Sequence, residues 1–254
     1  MTHQALRERW DGGEAALGGL AHFGAGSIEP LVAAGYDWVW LDCQHGPYDE
    51  ADAAATFRTL AGAPYALAVR VAQNDAAAIG RVLDAGADAV IVPLVDSPRE
   101  AADAVAACRY PPAGRRSFGP GRPDLGIDLE ALERRVSCFV MAESAAALEE
   151  IDAIAATPGL AGIVVGPIDL GISLGIAPRD VAGSARVRDA LTEIAAACER
   201  AAVVAGILAY GADHAKQCVE LGYRFVGVGA DVLTLRVASA HEVALVREAG
   251  QTLP

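Results

Sequence analysis

The stretch Ala85-Gly86-Ala87-Asp88-Ala89-Val90-Ile91-Val92-Pro93-Leu94-Val95 decides the fold. Its second half, Ala89 to Val95, is β-branched and apolar and reads as a buried strand, whereas the Ala-rich amphipathic run before it, Ala76 to Ala85, reads as a helix. Gly86 sits between the two, where a residue without Cβ takes the left-handed conformation that closes a helix. Leu221-Gly222-Tyr223 repeats this stop before a later apolar run. The unit is therefore strand, loop, helix and glycine stop.

Working outward, the same alternation places strands at Gly18 to Phe23, Trp38 to Asp42, Leu67 to Val71, Ala89 to Val95, Cys138 to Ala142, Gly162 to Val165, Val203 to Ala209 and Phe225 to Gly229. Helical stretches fall at Glu50 to Leu60, Ala76 to Ala85, Pro98 to Cys108, Ala145 to Ala155, Arg186 to Arg200 and Ala212 to Leu221. Strands that alternate with helices form a parallel sheet. An open doubly wound sheet would carry Gly-x-Gly-x-x-Gly after a strand if it bound a dinucleotide, and no strand here is followed by that pattern. Eight units favour closure, so the expectation is a single α/β domain over residues 1–254 folded as a (β/α)8 TIM barrel.

Composition narrows the function. A formal net charge of -13 argues against nucleic acid or an anionic membrane as partner, because both attract basic surfaces. Cys43, Cys108, Cys138, Cys198 and Cys218 are odd in number and scattered, which fits buried reduced thiols better than a disulfide framework or a zinc finger. The charged segment Met1 to Asp11 contains no apolar export run, and no later run is long enough to span a bilayer. A cytoplasmic protein is expected.

In such a barrel the chemistry collects where strands end. Asp42 and His45 follow the second strand, Arg70 ends the third, Glu143 follows the fifth and Asp169 the sixth. Glu143 and Asp169 would be neighbours in a barrel of simple order, and two carboxylates with water and a chelating substrate suit Mg2+ or Mn2+. The plainer reading has Asp169 capping a helix and Glu143 solvated. Arg70 lies in an apolar strand, where a guanidinium requires an anion: either a substrate carboxylate or enolate oxygen, or an acid of the barrel mouth. His45, three residues after Asp42, has the pKa range of a proton shuttle if an acid orients it; otherwise it is a loop histidine bonded to backbone. His22 and Phe23 end the first strand as possible wall residues. Arg115, Arg116 and Arg122 form a Pro/Gly-rich loop that reads either as positive potential over the mouth or as a solvated basic loop.

Lys216 is the only lysine and lies within a helical stretch, far from any strand end. A Schiff-base route to a carbanion is thereby nearly excluded, which leaves a metal to polarise the carbonyl.

These residues resemble the HpcH/HpaI family of metal-dependent pyruvate aldolases over nearly the whole chain. The resemblance is carried by Asp37-Trp38-Val39-Trp40-Leu41-Asp42-Cys43-Gln44-His45-Gly46-Pro47, Val69-Arg70, Leu83-Asp84-Ala85-Gly86-Ala87 and Arg109-Tyr110-Pro111-Pro112-Ala113-Gly114. Arg116-Ser117-Phe118-Gly119-Pro120, Met141-Ala142-Glu143-Ser144 and Val165-Gly166-Pro167-Ile168-Asp169-Leu170 complete it. The resemblance implies a lyase that reversibly cleaves a 4-hydroxy-2-oxo acid to pyruvate, or a related 2-keto acid, and an aldehyde. It implies Glu143 and Asp169 as ligands of Mg2+, Mn2+ or Co2+, with the keto acid chelating the metal and its carboxylate held by amides of the Gly166-Pro167-Ile168-Asp169 segment. Arg70 would steady an enolate and His45 would move protons. Asp84 would support the histidine, possibly from a neighbouring subunit, with Asp42 in the same network. Members are commonly hexamers, trimers of dimers, that exchange a last helix, here Asp231 to Arg247.

Two positions depart from the family's pattern. Met141 stands where many members bond the substrate with glutamine, and methionine cannot donate that bond. Gln44 stands where an acid often precedes the histidine. Gly18-Gly19-Leu20 also lacks an aromatic residue that some members carry. Competing readings are a citryl- or malyl-coenzyme A lyase-like enzyme, a sugar-phosphate barrel binding phosphate at Gly227-Val228-Gly229-Ala230, and a non-catalytic keto-acid-binding barrel.

Overall fold

A computed structural model describes residues 2–251, with side chains as far as residue 247. Eight parallel strands close a barrel in sequence order: β1 Ala16–Leu20, β2 Trp38–Asp42, β3 Ala66–Arg70, β4 Ala89–Val92, β5 Ser137–Met141, β6 Gly162–Val165, β7 Val204–Ala209 and β8 Phe225–Ala230. The helices are α1 His3–Asp11, α2 Ala25–Ala33, α3 Glu50–Thr59, α4 Ala76–Asp84, α5 Pro98–Cys108, α6 Leu129–Arg134, α7 Ala145–Glu149, α8 Ile151–Ala155, α9 Pro167–Ser173, α10 Ala185–Ala201, α11 Ala212–Glu220 and α12 Asp231–Gln251. The expected TIM barrel is present.

All eight expected strands form. The first runs Ala16–Leu20 rather than Gly18 to Phe23, because the backbone N–H groups of His22 and Phe23 leave the ladder and donate to the Asp231 carboxylate, each at 2.9 Å. The single helix expected over Ala145 to Ala155 is two short ones that meet at Glu150. The glycine stops behave as read, Gly86 at φ 103° and Gly222 at φ 102°.

Strand alternation sorts the core into two layers. Val39, Leu41, Leu67, Val69, Val90 and Val140 face outward and pack beneath the helices, whereas Trp38, Trp40, Ala66, Ala68, Phe139, Met141 and Phe225 fill the interior. At the closed end Phe225 lies stacked between Trp38, at 3.7 Å, and Phe139, at 4.5 Å. Trp10 of α1 meets both phenylalanine rings edge-on and plugs that end. Gly18 is required opposite this stack, since a Cβ there would lie 2.1 Å from the Trp38 ring.

Alternation also decides which strand-end residues face the axis. Trp38, Trp40 and Asp42 share one face, as do Ala66, Ala68 and Arg70, and the register sets Asp42 directly beside Arg70. The same count brings Phe139, Met141 and then Glu143 inward.

The α1 plug carries a titratable anchor. His3 is buried with Nε2 3.0 Å from Ser137 Oγ, and burial, aided by the positive charges of Arg7 and Arg135, holds its imidazole down at about 4. The unfolded chain, with an ordinary histidine, binds more protons between that value and about 6.5, so stability falls as pH drops through the window. Wild type should therefore lose on the order of 2 kcal/mol more than His3→Asn between pH 7.5 and 5, read from urea midpoints. Equal losses in the two proteins would show that His3 is not the anchor.

Candidate active site

Four strand ends converge on the open mouth. Arg70, the last residue of β3, donates from Nε to Asp42 Oδ1 at 2.8 Å and from Nη2 to Asp42 Oδ2 at 2.5 Å. Both side chains are buried. Burial pushes the Asp42 carboxyl up, but the bonds and charge of Arg70, with backbone N–H groups of Gln44 and His45, hold it below the usual carboxylate range. The guanidinium also lies 5.5 Å from the Trp40 ring centroid, within cation–π range. Only Nη1 faces away from Asp42, and its neighbour is the Met141 sulfur at 3.9 Å.

This arrangement changes the expected role of Asp42. Its carboxylate is engaged by Arg70 and fastens the His45 loop through backbone amides, at 3.0 Å to Gln44 and 3.3 Å to His45, rather than through the imidazole. His45 itself is exposed at the rim. Asp84 does not join it within one chain. It ends α4, which leads into the start of β4 and so lies at the opposite end of the barrel, where it pairs with Arg116 at 2.7 Å.

Glu143 is buried, and its two oxygens differ. Oε1 accepts the Leu94 backbone N–H at 3.0 Å, whereas Oε2 is sealed from solvent with no hydrogen-bond partner. Burial raises the carboxyl. The Leu94 bond and Arg70 oppose that rise, and the charges of Asp169 and Asp96 add to it. Gly166 lies against Oε2, since a Cβ there would stand 2.4 Å from it. Asp169 projects from the first turn of α9, exposed, beyond Gly166-Pro167-Ile168.

A buried carboxylate oxygen without a donor fits a cation, and a second carboxylate near enough to disturb it strengthens the fit. Among the described residues no group of three or more His, Cys, Asp or Glu side chains could hold a metal. The pair therefore suits a hard cation whose remaining positions go to water and substrate oxygens.

Several other expectations resolve here. Arg116 is buried against Asp84 and lies 4.8 Å from the Tyr110 ring centroid; Arg122 bonds Asp124 and the Phe57 and Ala85 carbonyls; Arg115 pairs with Asp103. Arg116 and Arg122 are buried in these pairs whereas Arg115 is exposed, so the solvated reading holds for Arg115 alone and none of the three is an unpaired charge over the mouth. Gly227 and Gly229 have packing reasons, since a Cβ would meet Leu208 at 2.8 Å or the Tyr36 hydroxyl at 2.7 Å. Lys216 is exposed on α11 beside Asp213. All five cysteines are free and buried, and burial lifts Cys43 to about 12, too high for a nucleophile.

Two contributors escaped the sequence reading. Leu94 holds Glu143 from a left-handed backbone at φ 54°, and nothing in Val92-Pro93-Leu94 announces that conformation. Trp40 beside Arg70 was legible from strand parity alone.

A sequence profile of the HpcH/HpaI aldolase/citrate lyase family matches residues 21–238. The chain is 36% identical over 235 residues to a hydroxypyruvate/pyruvate aldolase of Paraburkholderia phytofirmans, covering 87% of this chain and 88% of that protein. It is 35% identical over 221 residues to a 5-keto-4-deoxy-D-glucarate aldolase of Klebsiella pneumoniae, covering 84% of each. A crystal structure of a family member from Burkholderia cenocepacia superposes with a TM-score of 0.89 at 34% identity, over 97% of this chain and all of that one. On fold, site geometry and sequence together, the chain belongs to the HpcH/HpaI aldolase/citrate lyase family.

Proposed function

We propose that this protein is a carbon-carbon lyase that reversibly cleaves a 4-hydroxy-2-oxo acid to pyruvate, or a related 2-keto acid, and an aldehyde. The observation that carries this reading is the unpartnered Oε2 of Glu143, buried under Gly166 and close enough to Asp169 to feel its charge. Glu143 and Asp169 would hold a divalent cation such as Mg2+, Mn2+ or Co2+. When bound, that ion supplies the Lewis acidity that makes a carbanion beside a ketone accessible. The names of both relatives, aldolases for hydroxypyruvate/pyruvate and for a keto-deoxy-glucarate, support the reaction class.

The chain's own groups then divide the work. Asp42 fixes two edges of the Arg70 guanidinium and leaves Nη1, beside the Met141 sulfur, without a carboxylate partner, so that it would be the edge to meet an oxygen that gains charge as the enolate forms. Met141 walls the same corner with a thioether that offers no donor. The amides of the Gly166 to Asp169 segment would receive the keto-acid carboxylate. His45 takes the proton of the substrate 4-hydroxyl during cleavage and returns it during addition. Asp84 would support the imidazole from a neighbouring subunit. A homo-oligomer, a hexamer built as a trimer of dimers, accounts for that and for α12, whose Leu233, Leu235, Val237, Val243, Leu245 and Val246 are exposed along the chain's last helix. Free buried thiols fit a reducing compartment such as the cytoplasm. Among the described residues, no helix is long and apolar enough to cross a membrane.

A coenzyme A lyase-like activity gains little support, because the arginines that would meet its phosphates are committed to acids and carbonyls. A barrel that only binds keto acids is separated by turnover. In heavy water, the protein with pyruvate and Mg2+ or Mn2+ should deuterate the pyruvate methyl group, and chelation should stop it. Glu143→Ala with Asp169→Ala should abolish metal binding by calorimetry. Full exchange in metal-free protein, or unchanged binding in the double variant, would remove the metal from the reaction.

Arg70→Ala should lower kcat more than it raises KM, because the fixed cation meets charge that exists mainly in the transition state. Lysine should rescue only partly for lack of the planar fork. A change in KM alone would reassign Arg70 to carboxylate binding.

His45→Ala should keep its circular dichroism and metal affinity while losing on the order of 10²- to 10⁴-fold in turnover. Near-normal cleavage at pH 7 would return His45 to the status of a loop residue.

A further inference from the structure

His45 and Asp84 are each left half-partnered within one chain, at opposite ends of the barrel. His45 is exposed at the rim, and among the described residues no hydrogen bond reaches its ring. Asp84, the last residue of α4, is partly exposed, and its two oxygens differ. Oδ1 accepts Arg116 Nη2 at 2.7 Å, whereas Oδ2 accepts no hydrogen bond among the described residues. Gly119 lies beside that second oxygen, since a Cβ there would stand 3.4 Å from it.

Arg116 is an unusual cation for a loop. Its side chain is 2% exposed, its Nε is buried without a hydrogen-bond partner, and its guanidinium lies against the Tyr110 ring at 4.8 Å from the centroid. Such burial is costly unless the charge is paired, and a single bond to a partly exposed acid pairs it only in part. An arginine kept for strength would use its planar fork, as Arg70 does with Asp42 through Nε and Nη2. Nor does the loop need this contact to stay on α4, because the Gly121 N–H already donates to the Asp84 carbonyl at 2.7 Å and the Arg116 N–H to the Arg109 carbonyl at 2.9 Å. What the contact does achieve is to fix one oxygen of Asp84 and leave the other for a group outside the chain.

Resting on the reading above, in which Asp84 supports the imidazole of a neighbouring subunit, we propose that Arg116 is a positioning residue for catalysis in that neighbour. By holding Oδ1 it aims Oδ2 of Asp84 at the partner subunit's His45. Oδ2 then accepts one imidazole N–H, which fixes the ring with its other nitrogen toward the substrate 4-hydroxyl. The Tyr110 ring behind the guanidinium restricts the orientation of the fork. In this role Arg116 contacts neither substrate nor metal and acts only through Asp84.

Subunit mixing reads this directly, with cleavage of 4-hydroxy-2-oxopentanoate to pyruvate and acetaldehyde as the assay. Arg116→Met should lower kcat roughly 10- to 100-fold, the cost of a misplaced catalytic group, with KM and Mn2+ affinity unchanged. Where Asp84→Asn is already present it should cost little more, because two residues that act as one unit are not additive. Chains carrying Arg116→Met and chains carrying His45→Ala, co-expressed with different tags and purified through both, should cleave several times faster than the mean of the two parent proteins. A site in the mixed oligomer can combine an intact His45 from one chain with intact Asp84 and Arg116 from another, whereas a role confined to the fold of one chain gives no such gain. Arg116→Gln carries the same test should the methionine variant fail to assemble. A gain when Asp84→Asn takes the place of Arg116→Met in the mixture, without one for either Arg116 variant, overturns the proposal and keeps the shared site. No gain from any mixture removes both. Wild type that neither deuterates pyruvate with Mn2+ nor cleaves the adduct would instead remove the aldolase reading itself.

Discussion

The buried pairing of Arg70 with Asp42 is the interaction on which the rest of the mouth depends. A guanidinium on an apolar strand loses most of its hydration, and a lone carboxylate beside it would lose as much. Together, in bidentate contact, they remain charged. Such a pair is weak evidence for stability, because apolar residues of similar volume often serve a core as well or better. Its value here is positional. The pair ties β2 to β3 at their last residues, fastens the His45 loop through two backbone amides and leaves one guanidinium nitrogen, Nη1, beside the Met141 sulfur. Breaking it from either side would free a buried charge and loosen the histidine loop at once.

The barrel was legible because its rules are local. α4 and α11 end on glycines, Gly86 and Gly222, that need no distant partner, and each buried strand is a short apolar run. Where a long-range contact set the boundary, the reading slipped. β1 ends early because Asp231, more than two hundred residues away, captures two of its backbone donors, and no local pattern contains that fact. The closed end depends likewise on Trp10 reaching Phe139 and Phe225 from a helix outside the repeat. Residue type alone does not show such a plug.

The candidate site was legible as a list of residues more than as a set of contacts. Asp42, His45, Arg70, Glu143 and Asp169 all stand at strand ends, as the alternation of strand and loop requires. Their pairings were not. Asp42 looked like the partner of His45 because it is three residues away, yet strand parity turns it toward Arg70 across the ladder, and parity outweighs nearness in sequence. The loop arginines read either as positive potential over the mouth or as a solvated loop, and neither reading contained their pairing with Asp84, Asp103 and Asp124. Charge read along a chain counts formal units, whereas the field at a site depends on which of them are already paired.

That distinction also explains how an acidic protein can work on an acidic substrate. With a formal charge of -13, the chain cannot draw in a keto acid by its overall field. Attraction must be built at short range, and the free protein concentrates negative charge where Glu143, Asp169 and Asp96 meet. A divalent cation bound there would offset two of these three negative charges and leave positions in its shell for substrate oxygens. On the proposed reading the negative cluster would serve the cation first and the keto acid second. Arg70 is already balanced by Asp42, and only Nη1 is left without a carboxylate partner. In the proposed reaction, affinity for the keto acid would be left to the metal, and stabilisation of developing charge to a guanidinium fixed before the substrate arrives.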